Sequence, residues 1–339
     1  MKDIHVGIVG MGLYIPETYE TAEEIAQQSG IPVDVIKNKF GFNKKPIPGV
    51  DDGTMEMGVR AAQDCLNKTN TNPLDIDVII SIGEEHKEYP LTTTGIYIQE
   101  AIGAYNAWAF DVAQRCGTAV VAMKLAKSLM MSDPSINTIL IAGGYRNGDF
   151  IDYKNDRVTF MFNLAAGGGA ILLKKNYGKN LLLESRIITD GSFARDVAVK
   201  YGGTINPLTK ENIEYGLKSL DVLDPQHMKN GLGEKSMPNF LKAIDDSLSA
   251  SGFSRKDIDY VAMLHMKPSA HEYVMNELGL GLDKSIYLRD YGHIGQIDQI
   301  LSTSLALNEE KIKDGSIVVW VSAGIGYAWD ACTIKWGNS

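Results

Sequence analysis

The chain is short of cysteine, of positive charge and of long apolar runs. Three cysteines in 339 residues, Cys65, Cys116 and Cys332, are too few and too scattered for a disulfide framework, so a reduced, cytoplasmic setting is expected. Lys and Arg number 33 against 42 Asp and Glu, a formal net charge of −9. No positive field is available to collect nucleic acid or an anionic membrane. No run approaches the roughly 18 apolar residues that a membrane helix needs. The apolar run within the first ten residues is too short for a signal-peptide core and lacks a small-residue cleavage site. Cofactor motifs fail as well. Gly7-Ile8-Val9-Gly10-Met11-Gly12 begins like a dinucleotide fingerprint, but Ile15 and Pro16 stand where a third glycine and a helix should follow. Gly167-Gly168-Gly169 lacks the Lys-Ser/Thr of a phosphate loop. His265 and His271 lie about 240° apart on a helix and cannot share a metal ion from one face.

What is present is a chain that repeats itself. At 44% hydrophobic and 22% charged it has the composition of an ordinary folded protein. Residues 75–83 resemble residues 257–265, each an acidic corner feeding a short apolar strand. Residues 137–144 resemble residues 315–322, and each leads to a further apolar strand, at 169–173 and 330–334. Between the paired strands lie two helical stretches, 118–126 and 300–307, with almost no polar face, as expected of helices buried on most sides. The pattern predicts an α/β protein with two mixed sheets, a five-layer αβαβα sandwich built from two similar halves. The halves are taken as residues 1–175 and 176–339, with polar turn residues near the seam.

Cys116 ends a strand-like segment, Trp108-Ala109-Phe110-Asp111, and stands where the first buried helix begins. Free amides and partial positive charge at a helix N-terminus favour a thiolate nucleophile and can hold an oxyanion. Cys65, within a helix, and Cys332, within the last strand, are expected to be small buried side chains. His265 closes a strand before a helix, and His293 directly precedes the second buried helix. Two-fold similarity of the halves would bring these corners together, giving one nucleophile with two acid/base or oxyanion partners. His5, His86, His227 and His271 are read as ordinary surface or core residues.

At these residues the sequence resembles the thiolase superfamily, and within it the β-ketoacyl-acyl-carrier-protein synthase III branch, over essentially the whole chain. Asp111-Val112-Ala113-Gln114-Arg115-Cys116 resembles the family's nucleophile segment, and Asp156-Arg157-Val158-Thr159 its Asp-Arg-x-Thr. His265 falls on the histidine of His-Gln-Ala-Asn, Tyr291-Gly292-His293 on Tyr-Gly-Asn, and Gly324-Ile325-Gly326 on the C-terminal glycine turn. The resemblance implies a transferase of fatty-acid or polyketide biosynthesis that needs no bound cofactor or metal. Its substrates would be acyl-coenzyme A or acyl-carrier-protein thioesters. Cys116 would carry the acyl group, and His265 and His293 would assist decarboxylation of a malonyl-type extender for Claisen condensation. The oxyanion would sit against Cys116 and Gly324, Ile325 and Gly326, while Arg157 and Lys44 would contact the thioester carrier. A homodimer paired through residues 107–112 is implied too.

Departures from the family point to a specialised pathway. His293 replaces the family asparagine, giving Cys-His-His. Met266-Lys267-Pro268 follows His265, and Gly41-Phe42-Asn43-Lys44-Lys45 has lysine where an arginine contacts coenzyme A. Glu84 and Glu85 stand near the place of the general base in hydroxymethylglutaryl-coenzyme A synthases, which leaves a non-decarboxylating condensation open. Acyl transfer to an alcohol or amine is open too, as is a role as a non-catalytic partner subunit.

Overall fold

Apolar runs with residues for both faces set the strands of this protein. The computed structural model describes residues 4–216 and 218–338; the first three residues, part of the N-terminal stretch tested for a leader, lie outside them. Five strands come early in the chain: β1 (Val6–Tyr14), β2 (Val78–Ser81), β3 (Trp108–Asp111), β4 (Thr138–Tyr145) and β5 (Gly167–Lys175). Four follow: β6 (Lys179–Thr189), β7 (Tyr260–Met263), β8 (Ile317–Gly324) and β9 (Ala328–Asn338). Their order is β7-β8-β9-β6-β1-β5-β4-β2-β3. β2 and β4 run parallel, as do β7 and β8, and each pair continues into an antiparallel partner, β5 or β9. The similarity read between residues 75–83 and 257–265 therefore corresponds to equivalent strands.

Two separate sheets were expected, and one continuous nine-stranded sheet is found. The two sets of strands join at a single registered pair between β1 and β6, Gly7 opposite Leu181. Glycine permits the approach, since a Cβ at position 7 would lie 2.3 Å from the Lys179 carbonyl and 2.4 Å from that of Tyr177.

The main helices are α1 (Thr54–Thr69), α2 (Thr94–Ile102), α3 (Thr118–Ser132), α4 (Gly233–Ala250), α5 (Pro268–Glu277) and α6 (Asp298–Asn308). Strand alternation sorts the core into layers. Ile79, Leu140 and Leu172 face outward to Val59, Ala62 and Leu66 of α1. Ile80, Ile141 and Ile171 face the middle of the molecule with Val120 and Met123 of α3 and Ile300 and Leu301 of α6. On the other outer side, Phe240, Ile244 and Leu248 of α4 pack with Val274 of α5 over Val261 and Val319. α3 touches β4, β6, β8 and β9, and α6 touches β1, β5, β7 and β8, so both lie between the two sets of strands. This is the αβαβα sandwich. α3 is less enclosed than its composition suggests: Leu125 and Met131 are exposed, whereas α6 buries seven of its first nine residues.

A one-turn 3₁₀ segment precedes each central helix, Arg115–Gly117 before α3 and Gly295–Ile297 before α6. Both open on a left-handed residue, Arg115 at φ 52° and Gly295 at φ 57°.

Candidate active site

The nucleophile turn is tied down at several points. Beyond β3, the Asp111 carboxylate accepts from the Thr94 and Gly95 amides at 2.9 and 2.7 Å, which anchors the strand end to α2. The Gln114 amide donates to Thr118 Oγ1 at 2.8 Å, closing the turn into α3. Arg115, a residue with a Cβ, holds its left-handed conformation immediately before Cys116, a local strain of the kind that over-determined surroundings sustain. From β8, Ser322 Oγ donates to the Cys116 carbonyl at 2.5 Å. Gly324 lies against the same turn, where a Cβ would sit 3.4 Å from the Cys116 amide nitrogen. Cys116 is buried at the N-terminal end of α3.

His293 stands beside it. Cys116 Sγ is 3.0 Å from His293 Nε2, and His293 Nδ1 is 2.5 Å from Asp298 Oδ2. Because a carboxylate only accepts, Nδ1 carries a proton and Nε2 faces the sulfur. Burial works against a charged imidazole here, but the negative charges of Cys116 and Asp298 outweigh it and raise the His293 pKa well above its ordinary value. Asp298 is wholly buried and fully used: Oδ1 accepts from the Ile294 amide at 2.7 Å, and Oδ2 also accepts from the His265 amide at 2.7 Å.

His265 is held differently. Its Nε2 lies 3.2 Å from the Gly41 carbonyl, which can only accept, so Nε2 carries the proton. Nδ1 then presents its lone pair, and the Asn163 side-chain amide donates to it at 2.8 Å. Burial pushes the His265 pKa down to about 4, so this histidine is neutral at physiological pH.

The chain around Asn163 links both histidines. The His293 amide donates to the Asn163 carbonyl at 2.8 Å, and the Ala165 amide to the His293 carbonyl at 2.9 Å. Gly292, at φ 62°, is required here, because a Cβ would lie 2.5 Å from the Asn163 oxygen.

The other expected residues occupy varied places. Glu84 is buried and Glu85 exposed, and both accept from Arg115, each at 3.0 Å. Ile325 packs on the core beside Gly324, and Gly326 takes φ 116° in the turn between β8 and β9. Arg157 is paired with Asp221. Lys44 lies over the Tyr19 ring at 4.3 Å, whereas its neighbour Lys45 is buried. Burial raises the thiols of Cys65 to about 12 and Cys332 to about 11, which leaves both unreactive. Among the described residues no cluster of His, Cys, Asp and Glu is placed to hold a metal ion, and no helix is long and apolar enough to cross a membrane.

Sequence reasoning missed Asp298, Asn163 and Tyr145. Tyr145, buried, packs with its ring 6.1 Å from that of His293. Burial, and after it the charges of Cys116, Glu84 and Asp298, raise its pKa and keep the phenol protonated. Asp298 could have been noticed as an acidic group in the first turn of an otherwise apolar helix, a place where a buried carboxylate must find donors. No local signal marks Asn163.

The arrangement is a cysteine beside a histidine able to act as a base, the histidine held by a carboxylate, at a helix N-terminus able to hold an oxyanion. That is the equipment of acyl transfer through a thioester. Comparison with known proteins agrees over both halves. The family model 3-oxoacyl-[acyl-carrier-protein] synthase III matches residues 110–191, and the model of its C-terminal part matches residues 248–336. The beta-ketoacyl-[acyl-carrier-protein] synthase III of Azobacteroides pseudotrichonymphae is 25% identical over 342 residues, covering 99% of each chain. That of Syntrophomonas wolfei is 26% identical over 335 residues, covering 98% of each. The crystal structure of 3-oxoacyl-(acyl carrier protein) synthase III from Pseudomonas aeruginosa superposes with a TM-score of 0.83 at 18% identity, over 98% of this chain and 99% of that one. With the nucleophile, both histidine corners and the sandwich fold in place, the chain belongs to the 3-oxoacyl-[acyl-carrier-protein] synthase III family of acyltransferases.

Proposed function

We propose that the protein forms a carbon–carbon bond by decarboxylative Claisen condensation, with the acyl group carried on Cys116, in a specialised pathway. The observation that carries this reading is the 3.0 Å contact between Cys116 Sγ and His293 Nε2 at the start of α3. His293 takes the thiol proton, sulfur attacks the donor thioester carbonyl, and the donor thiol leaves with that proton. The amides at Cys116 and the Gly324–Gly326 turn are suited to hold the oxyanion. A malonyl thioester then loses carbon dioxide to give an enolate, His265 Nε2–H supports its oxygen, and the carbanion attacks the acyl carbon and expels the Cys116 thiolate.

Both Glu84 and Glu85 are engaged by Arg115, which favours decarboxylation over deprotonation by a free carboxylate base. For the donor's carrier, coenzyme A suits a surface cavity of ≈ 390 Å³ lined by Tyr153, Lys154, Tyr215 and Lys218. A neighbouring one of ≈ 250 Å³ includes Asp221, the partner of Arg157. Lys154, Lys200 and Lys218 there would meet phosphates and the tyrosines a purine ring, beside the carboxylates of Asp152, Glu214 and Asp221. Lys44 is assigned to the same carrier. An acyl carrier protein is the alternative donor. The sheet ends at β3, whose Trp108 is half exposed and stacks on Phe110 at 5.3 Å. An open edge strand with an exposed tryptophan favours pairing with a second copy, hence a homodimer. The three unreactive or reduced thiols suit a cytoplasmic setting, and residues 1–175 and 176–339 are taken as the two thiolase-like units.

One observation favours a second reading. The Cys116–His293–Asp298 relay is also built to remove a proton from an alcohol or amine, and that acceptor would take the acyl group without decarboxylation. Enzyme loaded with an acyl group, then given malonyl thioester, separates the two. Condensation releases carbon dioxide and yields a 3-oxoacyl product. Loaded enzyme that ignores malonyl thioester but acylates a hydroxyl or amine acceptor would establish the second reading.

A further inference from the structure

The segment between Phe162 and Ala165 runs between the two histidines and makes contact with each. Asn163 touches both: its side-chain amide donates to His265 Nδ1 at 2.8 Å, and its carbonyl accepts the His293 amide at 2.8 Å. Asn163 is itself buried. The carbonyls on either side of it, of Phe162 and Leu164, accept from the buried Lys45 ammonium at 2.8 and 2.7 Å. Two bonds from one cation thus bolt the turn that presents the Asn163 amide. Glu20 lies 3.7 Å from Lys45, so the bolt is partly neutralised.

We infer that Asn163 is a positioning residue that fixes the protonation pattern of His265, and with it the second half of the reaction. Its NH₂ group occupies the lone pair of Nδ1, so the single ring proton is confined to Nε2. In the unliganded chain that Nε2–H donates to the Gly41 carbonyl at 3.2 Å, and it is the donor that a developing enolate oxygen would share. The opposite tautomer would meet that oxygen with a lone pair. The first half-reaction does not draw on this device, because Cys116 is served by His293 and Asp298. The inference rests on the acyl-Cys116 reading, and it adds a division of labour: His293 with Asp298 for loading, His265 with Asn163 for condensation.

Asn163→Asp replaces the donor by an acceptor and calls a proton to Nδ1 while the Gly41 carbonyl still holds one at Nε2, so the ring is driven from the neutral donor toward a fixed imidazolium. In this variant, Cys116 loading from an acyl-coenzyme A thioester, read by intact-protein mass, is expected to stay within about two-fold of wild type, while turnover with malonyl thioester falls about 10²-fold. Asn163→Ala, which removes the donor without supplying an acceptor, is expected to load normally and to lose less turnover. ¹⁵N-histidine NMR of the unloaded protein reads ring protonation directly and independently of activity: Nε2–H with an unprotonated Nδ1 for His265 in wild type, and a protonated Nδ1 in Asn163→Asp. Equal loss of loading and turnover in both variants would make Asn163 a merely structural residue and overturn the inference. So would unchanged turnover, or a wild-type His265 protonated at Nδ1. Wild type that never loads, with the expected tautomers present, would instead count against the acyl-Cys116 reading.

Discussion

Asp298 reaches back to His293 within a single turn, Oδ2 to Nδ1 at 2.5 Å, and with its other oxygen accepts from the Ile294 amide at 2.7 Å, closing the turn that leads into its helix. The first half of the chain closes its turn in the same way without the relay. There the Gln114 amide donates to Thr118 Oγ1 at the place where the Ile294 amide donates to Asp298 Oδ1. A hydroxyl has one oxygen to offer, and a carboxylate has two. The second oxygen converts a turn closure into a group able to orient the His293 ring.

Asp298→Asn should therefore damage loading of Cys116. The amide would offer an N–H to Nδ1 and push the imidazole proton to Nε2, against the sulfur. A loss on the order of 10³–10⁴-fold in acylation rate is expected, as for triads whose carboxylate is amidated. The rise in the His293 pKa should shrink to the part that Cys116 supplies, so the rate of Cys116 alkylation should change its pH dependence. Stopped-flow alkylation between pH 5 and 9 checks this.

His265→Ala should separate the two half-reactions. Loading by mass should persist, while product formation falls about 10²–10³-fold, the usual loss for one oxyanion donor. Because burial holds the His265 pKa down at about 4, this histidine should contribute no step to the pH–rate profile between pH 5 and 8.

Asp330 gives the fold a pH dependence of its own. Its buried carboxyl lies against Gly117, where a Cβ would be 1.9 Å from Oδ2, and burial raises its pKa to about 8. With the Gln114 amide turned toward it, the side-chain nitrogen stands 3.1 and 3.2 Å from the two oxygens. The folded chain therefore keeps a proton that the unfolded chain has lost above about pH 4. Stability that is full below that pH is lost as pH rises through about 8. Asp330→Asn should flatten this slope and add on the order of 1–3 kcal/mol at pH 9. Denaturant unfolding at pH 5, 7 and 9 measures it.

Trp108→Glu should give a monomer. Charge on an edge strand opposes pairing, and Trp108 is half exposed on the last strand of the sheet. Light scattering after size exclusion should show a dimer for wild type and half that mass for the variant.

The paired strands were legible where they are apolar runs buried on both faces, as in Val78–Ser81 and Tyr260–Met263, whereas the half-exposed Lys179–Thr189, which begins at the polar seam, was not. Their similarity also led to the two central helices. Cys116 was legible as a strand-to-helix corner, and His293 as its counterpart. The relay was not: the apolar pattern of the second buried helix starts at residue 300, past Asp298, and a carboxylate inside such a helix becomes meaningful only when the 3₁₀ turn brings it to His293. Asn163 stands 102 residues from His265, and only the folded chain joins them. Lys45 defeats composition rules, since a lysine beside a turn is ordinarily solvated. The single sheet depended on one rung, Gly7 with Leu181, which no periodicity specifies.

The most direct test is intact-protein mass after mixing wild type and Cys116→Ala with a panel of acyl-coenzyme A and acyl-carrier-protein thioesters. A mass gain equal to one acyl group in wild type, missing in Cys116→Ala, is the predicted result, and the donor that loads most fully identifies the starter. No gain with any donor, or an equal gain in both proteins, would contradict Cys116 as the acyl carrier.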